Sequence, residues 1–224
     1  MILRLALRFA IMAPLSCALL LLPAGTVRFW PGWVFLGVFL GSSVALTAYL
    51  FRHDPQLLAR RMQNREPARE QKIFRMFWIP LWIGGLTLPG FDYRFGWSRT
   101  FAGGVPVWLI LLCQALVLCA FLIVNQAMRA NTFASSTIQV ESGQKVISTG
   151  LYRFVRHPMY SGFLLLILAT PLALGSYVAL PVFALLVPVL VYRLTNEEKT
   201  LRRELAGYAD YCQRTRFRLV PFVY

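Results

Sequence analysis

Long apolar stretches separated by short polar segments dominate the pattern of this chain. They lie roughly at Leu5–Leu22, Phe29–Phe51, Phe74–Phe91, Val105–Ala127, Met159–Leu174 and Tyr177–Leu194. A helix needs about 20 mainly apolar residues to cross the hydrocarbon layer of a membrane, and most of these stretches approach that length. The pattern therefore predicts an all-α integral membrane protein with about six transmembrane helices.

The last two stretches predict a C-terminal helical hairpin. No acidic or basic residue and no histidine occurs from Pro158 through Tyr192, and Gly175 and Ser176 stand near the middle as a turn signal. Both ends of a hairpin return to the same side of the membrane. The polar residues that flank it should therefore meet, although they are far apart along the chain.

The residues expected to meet are His157 and Tyr160 at the entrance and Glu197 and Glu198 at the exit. Beyond the hairpin, Glu197, Leu201, Leu205 and Tyr208 recur at helical spacing. This spacing predicts a cytoplasmic amphipathic helix followed by a tail. Glu197 would share the inward stripe of that helix, with Glu198 beside it.

Composition and charge agree with a membrane protein. Apolar residues make up 58% of the chain and charged residues only 14%, with a mean hydropathy of +0.58, which leaves too little polar surface for a soluble domain. The net charge of +14 could suggest nucleic acid, but 20 of the 23 Lys and Arg residues fall on one side of the predicted spans. We therefore expect membrane lipids as partners and no nucleic acid.

The same asymmetry orients the protein. Basic loops stay in the cytoplasm, so both termini of this multi-pass protein should be cytoplasmic, in a bacterial inner membrane or an endoplasmic reticulum depending on the source. The basic segment from Arg52 to Arg75 is interpreted as a solvated, lipid-facing strip with one short helix around Gln56–Gln63. Its charges suit anionic headgroups.

The cysteines give no sign of a metal site or a disulfide framework. Cys17, Cys113 and Cys119 fall inside predicted spans and Cys212 falls in the tail, without a CxxC pattern or a Cys/His cluster. We expect no metal, and we interpret the four cysteines as packing residues.

Five short patterns then occur in order across the hairpin and the tail. They are Thr149-Gly150-Leu151-Tyr152, Arg156-His157-Pro158-x-Tyr160-x-Gly162, Glu197-Glu198-x-x-Leu201, Gly207-Tyr208-x-x-Tyr211 and Arg218-x-x-Pro221. Together they resemble the isoprenylcysteine carboxyl methyltransferase and phospholipid methyltransferase superfamily of integral membrane methyltransferases. The resemblance covers roughly residues 131–224 and departs from many relatives at Leu151, where they have proline.

The resemblance implies S-adenosylmethionine as the cofactor and methyl donor. Within a single membrane domain, the apolar pattern predicts four transmembrane helices in residues 1–127, and the resemblance makes residues 128–224 the cofactor-binding catalytic region. The cofactor-binding residues implied are Tyr152, His157, Pro158, Tyr160, Gly162, Glu197, Glu198 and Leu201. The chain has no G-x-G-x-x-G pattern after a strand, the signature of a soluble dinucleotide fold.

The acceptor is expected to be lipophilic, either a small molecule or a lipidated group, because a site at the hairpin entrance opens towards the bilayer. A prenylcysteine-like carboxylate would need an orienting cation, for which Arg193 and Arg218 are the catalytic candidates. A lipid amine would need a base instead. The alternative for each arginine is a side chain that extends to the headgroups.

Two other functions stay open at this point. The pattern of Tyr211, Cys212, Arg218 and Pro221 also resembles the tails of sterol reductases, which would make the protein a membrane NADPH-dependent reductase. A non-enzymatic transporter would instead place its polar residues near the bilayer midplane. Here they cluster at the predicted cytoplasmic edge, which favours the methyltransferase.

Overall fold

The computed structural model describes residues 2–62, 69–133, 140 and 143–224, so part of the basic segment and part of the loop before Thr149 lie outside the described residues. The described residues form helices and no strand. The α-helices are α1 Ile2–Ala24, α2 Trp30–His53, α3 Pro55–Met62, α4 Arg69–Phe95, α5 Trp97–Ala102, α6 Val107–Ala130, α7 Pro158–Ala173, α8 Leu180–Ala184, α9 Leu186–Glu204 and α10 Tyr208–Arg214. A 3₁₀ turn at Gly150–Arg153 precedes α7.

Four helical segments of the described chain are long and apolar enough to cross a membrane. They are Ile2–Ala24, Trp30–His53, Val107–Ala130 and Leu180–Glu204. The expectation of a multi-pass helical protein is thus confirmed at this level. Of the remaining long helices, α4 has 27 residues and contains Pro80 and Pro89, while α7 has only 16 residues.

The end of the second apolar stretch differs from the prediction. The helix expected to stop at Leu194 continues through the two glutamates to Glu204. The chain then leaves the helix at Leu205, and Gly207 adopts φ +79°, a left-handed conformation that favours glycine. A separate amphipathic helix containing Glu197, Leu201, Leu205 and Tyr208 was therefore a wrong prediction, because a turn separates the first two residues from Tyr208.

The prediction of a short helix near Gln56 is confirmed, since α3 spans Pro55–Met62. For α3 the interpretation as a solvated strip is wrong, however, whereas residues 63–68 of the segment lie outside the described residues. Leu57 is fully buried and Leu58 is 6% exposed, and both pack with Leu50, Val124 and Met128 from α2 and α6. The amphipathic sequence of α3 thus anchors it on the helical core.

Close packing of α6 against α7 fixes the start of α7. A Cβ atom added to Gly162 would lie 2.7 Å from Cγ2 of Val124 and 2.9 Å from the carbonyl oxygen of Ala120. Gly162 therefore lets the two backbones approach each other. The side chain of Gln114 adds a buried polar link, because its Nε2 donates to the carbonyl oxygens of Pro31 and Ala173.

A buried acidic residue ties the far end of α7 to the rest of the molecule. Asp92 is 3% exposed and accepts hydrogen bonds from the backbone N–H and hydroxyl of Ser98 and from the hydroxyl of Ser176. Ser176 lies in the turn between α7 and α8. With this turn held in place, the start of α7 and the end of α9 lie together at the opposite end.

Candidate active site

A buried carboxylate lies at the centre of the polar cluster at that end. Glu198 on α9 is 3% exposed, and its Oε1 lies 2.8 Å from Nε of Arg156 and 3.3 Å from Nε2 of His157. Its Oε2 accepts a hydrogen bond of 3.0 Å from Nε of Arg218. Removing one partner from such a buried cluster is costly, because it leaves a charge without its counter-charge.

Arg218 joins the C-terminal tail to this carboxylate. Burial alone would lower the pKa of Arg218, but the Glu198 carboxylate and the Tyr224 hydroxyl outweigh that effect and raise it. The guanidinium is therefore a permanent cation. Backbone hydrogen bonds reinforce the link, because the N–H groups of Arg156 and His157 donate to the carbonyl oxygens of Phe217 and Arg218 at 2.9 and 3.0 Å.

The neighbouring glutamate faces different surroundings. Glu197 has a side chain that is 26% exposed, and its Oε2 accepts a hydrogen bond of 2.6 Å from the Tyr160 hydroxyl. The Arg193 Nε donates to the same hydroxyl at 3.0 Å, and its guanidinium lies 4.7 Å from the ring centre of Phe74. These contacts form a chain from a cation through a phenol to a carboxylate.

The burial of the two glutamates is therefore the reverse of the prediction. Glu198, expected beside the inward stripe, is the buried residue, whereas Glu197 lies at the wall of a cavity. The cavity is bounded by α7, α9, the 3₁₀ turn and the tail. Six of the residues proposed from the sequence line it: Tyr152, His157, Tyr160, Arg193, Glu197 and Leu201.

The other four proposed residues lie elsewhere. Pro158 is the first residue of α7, Glu198 and Arg218 lie behind the cavity wall, and Gly162 faces α6. In the structure these residues position the wall of the cavity. Contact with a cofactor remains a prediction for all eight proposed cofactor-binding residues, as do the catalytic roles of Arg193 and Arg218.

Sequence reasoning missed several residues that build the cavity. Arg156, which neutralises Glu198, lines it together with Tyr208 and Tyr211. The Tyr208 hydroxyl lies 3.4 Å from Nε2 of His157, and the Tyr211 hydroxyl donates to the carbonyl oxygen of Tyr152 at 2.7 Å. All three belong to the short patterns, so position within those patterns was the signal that could have identified them.

The tyrosines on the cavity wall remain protonated at neutral pH. Burial raises the pKa of Tyr152 to about 12, and burial together with the nearby Glu198 raises the pKa of Tyr208 further above its usual value. The cavity thus offers neutral phenols, a histidine and an accessible carboxylate. Within the described residues, no group of three or more His, Cys, Asp and Glu side chains could hold a metal ion.

Fold and cavity together define a helical membrane protein with a polar site at the ends of its last apolar helices. Residues 108–203 match the isoprenylcysteine carboxyl methyltransferase family. The resemblance drawn from the short patterns is thereby confirmed. The matched stretch contains α6 to α9 and therefore both glutamates, His157 and Tyr160.

A second similarity is to a sterol reductase. The chain is 30% identical over 134 residues to the Delta(14)-sterol reductase TM7SF2 of Mus musculus, an alignment that covers 54% of this chain and 32% of that protein. The chain thus spans about a third of the length of this curated relative.

Proposed function

We propose that this protein transfers methyl groups from S-adenosylmethionine to a lipophilic acceptor at the cytoplasmic face of a membrane. The observation that carries the proposal is the cavity in which His157 and Tyr160 of α7 meet Glu197 of α9, within a stretch that matches the methyltransferase family. The cofactor would supply a methyl group bound to a positively charged sulfur, which is attacked directly by the acceptor.

The residues of the cavity suit this cofactor. The Glu197 carboxylate can accept hydrogen bonds from an amino group or ribose hydroxyls, and aromatic faces such as that of Tyr152 suit an adenine ring or a sulfonium. Nδ2 of Asn196, the residue before Glu197, is buried and finds no hydrogen-bond partner among the described residues. The protein's tasks would be to align donor and acceptor and to exclude water.

The membrane arrangement proposed with this function has six crossings. Besides the four candidate spans, α4 and α7 would cross the bilayer, and α7 with the segment Leu180–Glu204 would form the hairpin. With 16 residues, α7 covers only about 24 Å of a hydrocarbon layer of about 30 Å. The cavity at its start would therefore lie at the level of the inner headgroups, open to lipids.

The reductase relative favours a second candidate, an NADPH-dependent reduction. NADPH carries several phosphates, which need cations that are not already neutralised. Arg156 and Arg218 both pair with Glu198, and the accessible charge of Glu197 would repel a phosphate. Lys145 and Arg193 also line the cavity, so the match to the methyltransferase family, and not the charge of the cavity, favours the methyltransferase.

Calorimetry of the purified protein with S-adenosylhomocysteine and with NADPH tests the proposal. We expect micromolar binding of the first, about −8 kcal/mol, and no heat of binding with the second. Binding of NADPH without binding of S-adenosylhomocysteine would contradict the methyltransferase proposal and favour the reductase.

A further inference from the structure

The last residues of the tail expose apolar side chains although hydrogen bonds hold their backbone in a closed loop. Phe222 is 89% exposed and Val223 is 79% exposed. The backbone oxygen of Tyr224 accepts hydrogen bonds from the N–H groups of residues 218, 219 and 220 at 2.8, 2.8 and 3.1 Å. These bonds close residues 218–224 into what we call the tail loop, and the two apolar side chains lie on its outside.

Phe222 occupies a backbone conformation that is unfavourable for its side chain. Its φ is +65°, and among the described residues it is the only non-glycine residue with a positive φ. Left-handed conformations cost free energy in residues with a Cβ atom and persist where surrounding contacts impose them. One such contact is the hydrogen bond of 2.7 Å from Nη1 of Arg218 to the Tyr224 hydroxyl. The ring centre of Phe222 lies 5.2 Å from that of Phe217, yet most of the Phe222 surface remains exposed.

The tail loop lies where the apolar helices end. Leu219 is buried and packs in the main apolar core, and its carbonyl oxygen accepts a hydrogen bond of 2.6 Å from the hydroxyl of Ser161 in the first turn of α7. Arg218 binds Glu198 near the polar end of the candidate span Leu180–Glu204. The exposed side chains of the tail loop therefore begin at the edge of the apolar part of the molecule.

The charge near the tail loop is positive. Residues 213–224 contain three arginines and no acidic residue, and two of these, Arg214 and Arg216, are exposed. Arg153, before α7, is exposed as well, and its guanidinium lies 5.0 Å from the ring centre of the exposed Phe154. Apolar side chains among arginines are typical of segments that lie in the interface of an anionic membrane.

We infer that the tail loop is an interaction surface for the cytoplasmic leaflet, into which Phe222 and Val223 insert while the nearby arginines bind anionic headgroups. Burial of the exposed ring in the interface removes apolar area from water, which offsets the cost of its backbone conformation. Because the same loop carries Arg218, insertion would also hold the pairing of Arg218 with Glu198. The placement at the membrane rests on the proposed crossings and not on methyl transfer.

A spin label at residue 223 measures the depth of the loop. The protein would carry Val223→Cys in a cysteine-free background, in nanodiscs with about 30% phosphatidylglycerol. Oxygen concentrates in lipid and a nickel chelate stays in water, so power saturation with each reports depth. The control is Glu204→Cys, because Glu204 is exposed and lies six residues beyond Glu198 on α9, about 9 Å along the helix.

We expect the ratio of oxygen to nickel accessibility to be at least about fivefold higher at residue 223 than at residue 204. Equal ratios at the two positions would overturn the inference. Low accessibility of residue 223 to both reagents would also overturn it, because the loop would then be covered by protein, such as a second copy of the chain.

Phe222→Gly tests whether the ring carries the insertion. Glycine adopts the observed φ without strain, so the loop should keep its shape and the melting temperature in detergent should not fall. The label at residue 223 should nevertheless become accessible to the nickel chelate, whereas Phe222→Leu should keep it in lipid. A lower melting temperature of Phe222→Gly with unchanged depth would show that the ring packs within the protein, which would contradict the inference.

Lipid charge tests the role of the arginines. The label should lie less deep in nanodiscs of phosphatidylcholine alone, and Arg216→Gln should reduce this dependence on lipid charge. Arg202→Gln, exposed on α9, is the matched control and should keep the full dependence. Equal dependence in the two variants would contradict binding of anionic headgroups by Arg216.

Titration of S-adenosylhomocysteine into the same nanodiscs separates the two proposals. If it binds while the label at residue 223 lies in water, the methyltransferase proposal stands and this inference fails. If the label lies in lipid but S-adenosylhomocysteine does not bind, the membrane contact stands and the methyltransferase proposal fails.

Discussion

Glu197 and Glu198 are adjacent in the chain but differ in burial and partners. Glu198 neutralises two arginines inside the protein, whereas Glu197 is partly exposed at the cavity wall. Chemically identical changes at the two positions should therefore have different effects.

Glu198→Gln should destabilise the protein, because it leaves Arg156 buried without its counter-charge. We expect a loss of about 3 kcal/mol in the free energy of unfolding, and a clear fall in the melting temperature. Glu197→Gln should keep the melting temperature and weaken S-adenosylhomocysteine binding about tenfold. Thermal unfolding in detergent and calorimetry measure the two effects.

Glu204→Gln on the same helix is the control, since its exposed pair with Arg203 should contribute less than about 1 kcal/mol. If Glu197→Gln binds the ligand like the wild-type protein, Glu197 is only a solvated residue of α9. Equal melting temperatures of Glu198→Gln and Glu204→Gln would show that the buried cluster contributes little to stability.

Arg193→Lys tests the link from Arg193 through Tyr160 to Glu197. Lysine keeps the charge but loses the planar group that lies over Phe74 while its Nε donates to Tyr160. We expect turnover to fall at least about tenfold while the affinity for S-adenosylhomocysteine changes less than about threefold. The assay is transfer of a tritiated methyl group to an acceptor identified from lipid extracts.

Arg202→Lys, exposed on the same helix, provides the comparison and should turn over normally. Normal turnover of Arg193→Lys would show that Arg193 only extends towards the headgroups and does not orient the acceptor. A different cation would then have to orient the acceptor.

Close packing of α7 against α6 positions one wall of the cavity. Because the two helices contact each other through Gly162, the start of α7 holds Tyr160 at the cavity wall. The same contact explains why Gly162 belongs to the recurring pattern without lining the polar cavity.

Gly162→Ala should therefore lower stability although alanine favours helices. The added methyl group would meet the Ala120 carbonyl oxygen at 2.9 Å, and a backbone atom cannot move aside easily. Overpacking of this kind costs about 1–3 kcal/mol. Gly37→Ala on α2 is the control, because no atom of the described residues beyond the backbone of its own helix lies within 4 Å of the added Cβ atom, and it should be neutral or slightly stabilising. A melting temperature of Gly162→Ala equal to that of Gly37→Ala would contradict the close contact.

The proposed orientation in the membrane rests on the distribution of charge over the whole chain. The proposed arrangement places the α4–α5 turn outside and the tail inside. In a cysteine-free background, Thr100→Cys should react with a membrane-impermeant maleimide in intact cells, whereas Gln213→Cys should react only after permeabilisation. Both positions are exposed, so accessibility within the protein should not limit the reaction. Labelling of both from the same side would contradict an odd number of crossings between them.

The sequence by itself determined the helical membrane class and the residues that meet between the start of α7 and the second half of α9. Both follow from local properties, because hydropathy over about 20 residues decides what can cross a bilayer, and an apolar hairpin returns its ends to one side. His157, Tyr160 and Glu197 could therefore be predicted as neighbours from spacing and polarity alone.

Only the tertiary structure decided which glutamate is buried and which arginines pair with it. The rotational position of Glu198 depends on α9 continuing unbroken to Glu204, and its burial depends on Arg156 and a tail that pairs with the start of α7. Contacts between residues so far apart in the chain leave no periodic signal in the sequence.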